Sequence, residues 1–328
     1  MSLIDKTLAL LGLGQDVPVW PPDRLSLALQ GGGSFGAFTW GVLDRLLEEP
    51  DISFDAISGA SAGSVNAVLM ASGMIENGPD GARARLSQFW GRIGRTSAFL
   101  PTSALLGAGL ELVVRTMSPY QFNPFNVNPL SEALAAEVDF ERLRERSAIK
   151  LLLAVTRVRD GKLRILTNAE LTLDAVLASA CLPLLHHAIE LDGEPYWDGG
   201  YAANPPLVPL VRASTAAQIL IVQVTPSTAE RMPSSPREIA RRIEQIQFNA
   251  TLNSELEALK AGKMIGATSK LRRLRIGLIS AAEEFEGLSD ESAGNVGREF
   301  LDRLHQSGRA AADLWLKRGL PAAAGTRD

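Results

Sequence analysis

A serine hydroxyl does no chemistry until a sharp turn presents it and a base takes its proton. The segment Gly59-Ala60-Ser61-Ala62-Gly63 has the G-x-S-x-G form that meets the first need. Small neighbours let a strand turn abruptly into a helix and lift the hydroxyl above the sheet edge. Upstream, Gly31-Gly32-Gly33-Ser34-Phe35-Gly36 is a second glycine-framed turn between a strand-like run and a helix-like one. Backbone N–H groups at such a helix entrance are what a developing oxyanion requires. The two turns together predict acyl transfer at Ser61.

The base has several candidates. The chain has three histidines, His186, His187 and His305. An α/β-hydrolase order of Ser, acid, His leaves His305 as the late one, although its setting reads more readily as a polar helix position. His186 and His187, in Leu184-Leu185-His186-His187-Ala188-Ile189, read as strand-entry residues that could approach a pocket. Asp198, in Tyr196-Trp197-Asp198-Gly199-Gly200-Tyr201, is the stronger candidate, because Gly199 and Gly200 let its carboxylate come close to another main chain. A free aspartate, with a pKa of about 3.9, is a weak base at neutral pH, so position and local dielectric must activate it. Trp197 and Tyr201 flank it as core or pocket residues, and Asn204-Pro205-Pro206 predicts a rigid turn that holds its loop.

Gly31, Gly33 and Gly36 also satisfy G-x-G-x-x-G, the dinucleotide-binding fingerprint. That fold wants an acidic residue at the end of the second strand. Here the second strand ends in Ser58-Gly59-Ala60-Ser61, and Asp55 lies too early. Cys181 is the single cysteine, which excludes an intrachain disulfide and a cysteine-based zinc site.

The elements that must position these residues alternate. Leu25-Ser26-Leu27-Ala28-Leu29 predicts a buried first strand, Thr39 to Glu49 a helix ended by Pro50, Phe54 to Ile57 a second strand, and Ala62 to Ser72 a small-residue helix. Asn128-Pro129 starts a further helix, with asparagine as the cap. Strands are expected at Leu151 to Thr156, Leu163 to Thr167 and Ile219 to Val224, with a helix from Leu173 to Ala180. The alternation implies an α/β fold, a three-layer α/β/α sandwich with a largely parallel central sheet. Residues 1–23 read as an N-terminal arm with a helical stripe from Leu3 to Leu13, and residues 24–228 as the catalytic domain. Residues 229–328 read as a mostly helical C-terminal extension: a helix over Arg237 to Lys263, a strand-like insertion at Leu274 to Ile279, and a loose tail from Ala322. The apolar stretch from Ala98 to Asn128 is expected to cap the site.

The 328 residues, 46% hydrophobic, suffice for a large core. The formal net charge of −4 argues against a nucleic-acid partner. The lone cysteine and the lack of a signal-like N-terminus or a spanning apolar run point to a soluble cytoplasmic protein, peripheral at most. Basic clusters at Lys270, Arg272, Arg273 and Arg275 and at Arg237, Arg241 and Arg242 allow transient binding to a membrane surface, or are solvated helix faces.

Taken in order, the glycine turn, the G-x-S-x-G elbow and the Asp-Gly-Gly segment resemble the motifs of the patatin-like phospholipase family, over about Arg24 to Thr225. The flanking Phe54-Asp55-Ala56-Ile57-Ser58-Gly59 and Leu182-Pro183 share in the likeness. The resemblance implies a Ser61–Asp198 dyad without histidine. It implies an oxyanion loop of Gly31, Gly32, Gly33 and Gly36, with Gly59, Gly63, Gly199 and Gly200 as support. It also implies a lipid or other acyl-ester substrate. No metal or organic cofactor is required by such a site. One position departs from the family, which usually carries a basic residue just before the last glycine of the loop, where this chain has Phe35. A lipid-binding protein without turnover is the second expectation for this fold.

Overall fold

The computed structural model describes residues 22, 24–97, 116–229, 231–264, 268–284, 288 and 294–319. The arm, most of the expected cap and the tail lie outside the described residues.

Apolar runs become the inner strands, because a strand buried on both faces needs no polar alternation. β1 (Leu25–Leu29) is fully buried and lies beside β2 (Phe54–Gly59), joined to it by helix α1 (Gly36–Leu46). Helix α2 (Ala62–Ser97) follows β2 and is broken at Asn77-Gly78, ahead of Pro79. Three short helices, α3 (Pro119–Phe122), α4 (Pro129–Glu137, capped by the Asn128 side chain) and α5 (Phe140–Arg146), lead to β3 (Lys150–Arg157). Antiparallel β4 (Leu163–Thr167), α6 (Leu173–Ser179), and the hairpin of β5 (Ile189–Leu191) and β6 (Glu194–Asp198) come next. Helix α7 (Leu207–Ala213) then precedes β7 (Gln218–Gln223).

Residues beyond 229 complete the sheet. After α8 (Pro236–Met264) and α9 (Ser269–Arg273), β8 (Arg275–Ser280) pairs in parallel with β7, so the expected insertion is an edge strand of the same sheet. The strand order is β5-β6-β3-β2-β1-β7-β8, with β4 on β3. After the short helix α10 (Ala281–Glu284), α11 (Arg298–Gly319) packs along α1 so closely that the carbonyl of Phe38 approaches Gly308 and that of His305 approaches Gly41. Residues beyond 228 thus add a strand to the sheet and a helix against α1.

Each inner strand divides its side chains between two cores. Leu25, Leu27, Leu29, Leu220 and Val222 face the core shared with α1, α2 and α11, while Ala28, Ile219 and Ile221 face the core under α7 and α8. This is the three-layer arrangement, largely parallel through β3-β2-β1-β7-β8, with an antiparallel margin at β4, β5 and β6.

Candidate active site

β3 sets the spacing of the site. Its first half pairs with β2, whose last residue, Gly59, lies opposite Leu153. β4 occupies the other edge, and β6 takes over from β2 with Asp198 opposite Val155, two residues further along. The chain leaving β2 therefore turns beside the end of β6, and Ser61 is the residue at that turn.

Ser61 has φ 51°, a left-handed backbone that costs a non-glycine residue about 1–3 kcal/mol and is held only when the surroundings enforce it. Its N–H donates to the Ser179 carbonyl at 3.0 Å, and its carbonyl accepts the Val65 N–H at 3.1 Å inside α2. Gly59 packs against the Ser64 and Gly63 backbone, and Gly63 against the Leu29 carbonyl, as an elbow of small residues requires.

Asp198 has no exposed surface. Its N–H donates to the Cys181 carbonyl at 2.9 Å, and its carbonyl accepts the Thr156 hydroxyl at 2.7 Å. Oδ1 accepts the Gly200 N–H at 2.7 Å. Oδ2 is buried without a well-aligned hydrogen bond, although the Ser61 hydroxyl reaches the carboxylate closely enough to favour its ionised form. Burial dominates, and it raises the Asp198 pKa to about 7 against the opposing pull of Ser61 and the Gly200 N–H. A Cβ on Gly199 would lie 2.0 Å from the Ala154 carbonyl oxygen, so only glycine lets β6 end this close to β3.

The upstream turn passes directly over the serine, for a Cβ on Gly31 would lie 2.6 Å from the Ser61 Cβ. Asn204 clamps Gly31, accepting its N–H at 2.7 Å on Oδ1 and donating from Nδ2 to its carbonyl at 3.3 Å. The Thr225 hydroxyl donates to that carbonyl too. Gln30 accepts the Val224 and Thr225 N–H groups and donates to Asn249 Oδ1 at 3.0 Å, which ties the turn to α8. At the far end, Asn66 donates to the Gly36 carbonyl and accepts the Trp90 indole N–H, both at 2.9 Å.

These bonds sort the four glycines. The Gly31 N–H is spent on Asn204, and the Gly36 N–H on the carbonyls of Gly33 and Ser34. The N–H groups of Gly32 and Gly33 have no acceptor among the described residues, and neither has that of Ala62 at the entrance of α2. Asn204 reads in the sequence only as a turn residue, and Ala62 only as a small neighbour of the serine.

No histidine is bonded to Ser61 or Asp198 among the described residues. His305 stacks on Trp40 with ring centroids 3.7 Å apart and bonds Asp44 at 3.2 Å. His187 stacks on Tyr120 and bonds the Pro119 carbonyl, and burial lowers the pKa of His186. Cys181 is buried beside the site. Burial, and then the nearby Asp198, push its thiol up to about 12, and it donates to the His187 carbonyl. Asp55, at the opposite end of β2, accepts the Thr215 N–H and a bond from Lys150, so it cannot serve a nucleotide at the glycine turn. In the basic clusters, Lys270 donates to the carbonyls of Arg212 and Ser214, and Arg242 to those of Pro226 and Ser227.

The family model described as Patatin-like phospholipase matches residues 27–211, more than half of the chain. The chain belongs to this family. The match thus includes the Gly31–Gly36 turn, the elbow and the Asp-Gly-Gly segment, while β7, α8, β8 and α11 lie beyond it. The uncharacterized protein YjjU of Escherichia coli (strain K12) is 25% identical over 259 residues, 74% of this chain and 66% of YjjU. The chain thus spans just under two thirds of that curated relative. Among solved structures, VipD from Legionella pneumophila aligns with a TM-score of 0.42 at 14% identity, over 90% of this chain and 67% of the other. A chain of the heterodimeric ExoU–SpcU complex of the Pseudomonas aeruginosa type III secretion system aligns with a TM-score of 0.41 at 15% identity, over 92% and 52%. No helix among the described residues is long and apolar enough to cross a membrane.

Proposed function

We propose that this patatin-like chain is a serine hydrolase that releases fatty acid from lipid esters through a Ser61–Asp198 dyad. Ser61 Oγ attacks the ester carbonyl carbon while Asp198 Oδ2 takes its proton. The N–H groups of Gly32, Gly33 and Ala62 donate to the carbonyl oxygen as negative charge gathers there. Asp198 passes the proton to the departing alcohol, leaving an acyl ester on Ser61. Water then attacks that ester as Asp198 takes one of its protons, the fatty acid leaves, and Ser61 recovers its hydrogen.

The observation that carries the reading is the wholly buried carboxylate, one oxygen without a well-aligned bond, beside a serine held in a left-handed turn. An exposed aspartate is too weak a base, whereas one with a pKa near 7 is matched to neutral pH. Family membership supports a lipid ester as substrate. So does the surface near Asp198: half-exposed Tyr201 packs edge-on against Phe248 of α8, whose outer face exposes Ile239, Ile243 and Ile246. The same apolar face supports transient contact with a lipid surface.

The test is a fluorophosphonate that traps activated serines, read by intact mass and peptide mapping on wild type, Ser61→Ala and Asp198→Asn. A single adduct on Ser61, absent in Ser61→Ala and slowed at least a hundredfold in Asp198→Asn, is expected. Folded wild type that takes no label sinks the hydrolase reading and favours a lipid binder without turnover.

A further inference from the structure

The donor turn is fixed at its ends by hydrogen bonds, and its middle lies against Val224, Thr225 and the Phe35 ring. Phe35 donates its N–H to the Gly32 carbonyl at 3.1 Å, and its ring is the nearest side chain but two to the space a Gly32 Cβ would fill. That ring is buried and meets Phe300 edge-on, with centroids 6.3 Å apart and planes at 68°. Phe300 lies in the first turn of α11, nearly ninety residues past the end of the family match.

We infer that Phe300 is a positioning residue for the oxyanion turn, acting through Phe35 on the N–H groups of Gly32 and Gly33. The inference rests on the Ser61 reading proposed above. A charged side chain at position 35 would be steered by solvent or substrate, but a phenyl ring is steered by packing, and Phe300 is its aromatic partner among the described residues. Phe300 is itself 4% exposed, so deleting its ring leaves a void that Phe35 can enter. Movement of Phe35 carries the Gly32 carbonyl, and with it the neighbouring N–H groups, away from the carbonyl oxygen of the substrate. A misplacement of about 1 Å in such a site costs on the order of a hundredfold in rate. The loss falls on the transition state, where the oxyanion forms, and hardly on substrate binding.

Full-length wild type, Phe300→Ala, Phe300→Leu and Leu316→Ala are compared with p-nitrophenyl butyrate for kcat and KM, with the fluorophosphonate for labelling rate, and in urea for stability. Leu316 lies four turns further along the same helix and is buried to the same 4%, so it reports destabilisation alone. Phe300→Ala is expected to lose tenfold to a hundredfold in both kcat and labelling rate at unchanged KM. Phe300→Leu should recover most of the loss, and Leu316→Ala should stay within twofold of wild type. If Phe300→Ala fails to fold, Phe300→Leu carries the test with a loss of at least threefold in kcat at unchanged KM. Wild type that labels at Ser61 while the folded Phe300 variants turn over like Leu316→Ala overturns the positioning role and leaves the dyad standing. Wild type that does not label overturns both.

Discussion

Two buried carboxylates in this molecule have been driven in opposite directions. Asp198 and Asp44 are both shielded from water, at 0% and 8% exposure. Burial alone would raise both pKa values. At Asp44 it is outweighed by hydrogen bonds from His305, Arg83 and Arg309, which hold the carboxyl well below the usual range. Arg83 donates to it at 2.7 Å, and Arg83 and Arg309 both go on to Glu48, so the group pins α1 between α2 and α11. Asp198 receives one N–H and the reach of one hydroxyl, and no cation among the described residues contributes. The comparison teaches that depth alone does not set the pKa of an aspartate. What matters is which charges are kept away from it.

The contrast can be broken most severely at Asp198. Asp198→Asn should lower kcat/KM on an activated ester about a thousandfold, and wild-type kcat/KM should climb with pH and level off above about 7 as the carboxylate ionises. A wild-type profile flat from pH 5 to 9 would contradict this assignment of the base.

Asp44→Asn should act on stability instead. It leaves Arg83 and Arg309 with one neutral partner, at a cost on the order of 2 kcal/mol in urea denaturation. That is less than for a sealed ion pair, because both guanidinium groups partly reach water. Turnover per folded molecule should be retained. The pKa of Asp44 is lowered on folding, so its contribution is present above the ordinary carboxylate range and is lost as pH falls through and below about 4.

The smallest effect has the opposite sign. Because the Asp198 pKa is raised on folding, the folded state holds an extra proton between about pH 4 and 7, and stability falls as pH rises through that window. Asp198→Asn removes this term, so the variant should be more stable than wild type at pH 8, by about 1–2 kcal/mol. The full shift of about three units would give about 4, and the added amide, with few acceptors, offsets part of it. Equal urea midpoints for the two proteins at both pH 5 and pH 8 would count against the raised pKa.

How far these features can be read from the sequence follows from their range. β1 and β4 begin and end where their apolar runs do, and the cap of α4 is visible in Asn128-Pro129, because each is decided by adjacent residues. Ser61 and Asp198 are legible because their glycines are demanded by close approach, and glycine leaves a mark in any sequence. The β5–β6 hairpin is not, since Ile189–Leu191 and Glu194–Asp198 are short and partly polar and are strands mainly by virtue of β3. Nor can four glycines be told apart locally. Asn204, 173 residues away, takes the Gly31 N–H, whereas those of Gly32 and Gly33 have no acceptor among the described residues. The extension looks separate for the same reason: β8 and α11 declare their place only through β7 and α1.

Strand order also bears on when the site can exist. β1 is synthesised early, yet it is a central strand, and Leu25 on its β7 side pairs with Gln218. Asn204, Thr225 and Asn249, which frame the Gly31 turn, follow it from the ribosome by a long interval. A nascent chain that has already exposed Ser61 therefore has no formed Gly31 turn above it. The hydrolase chemistry proposed for Ser61 would thus arrive late in translation, when the polypeptide is nearly able to close this turn over the serine.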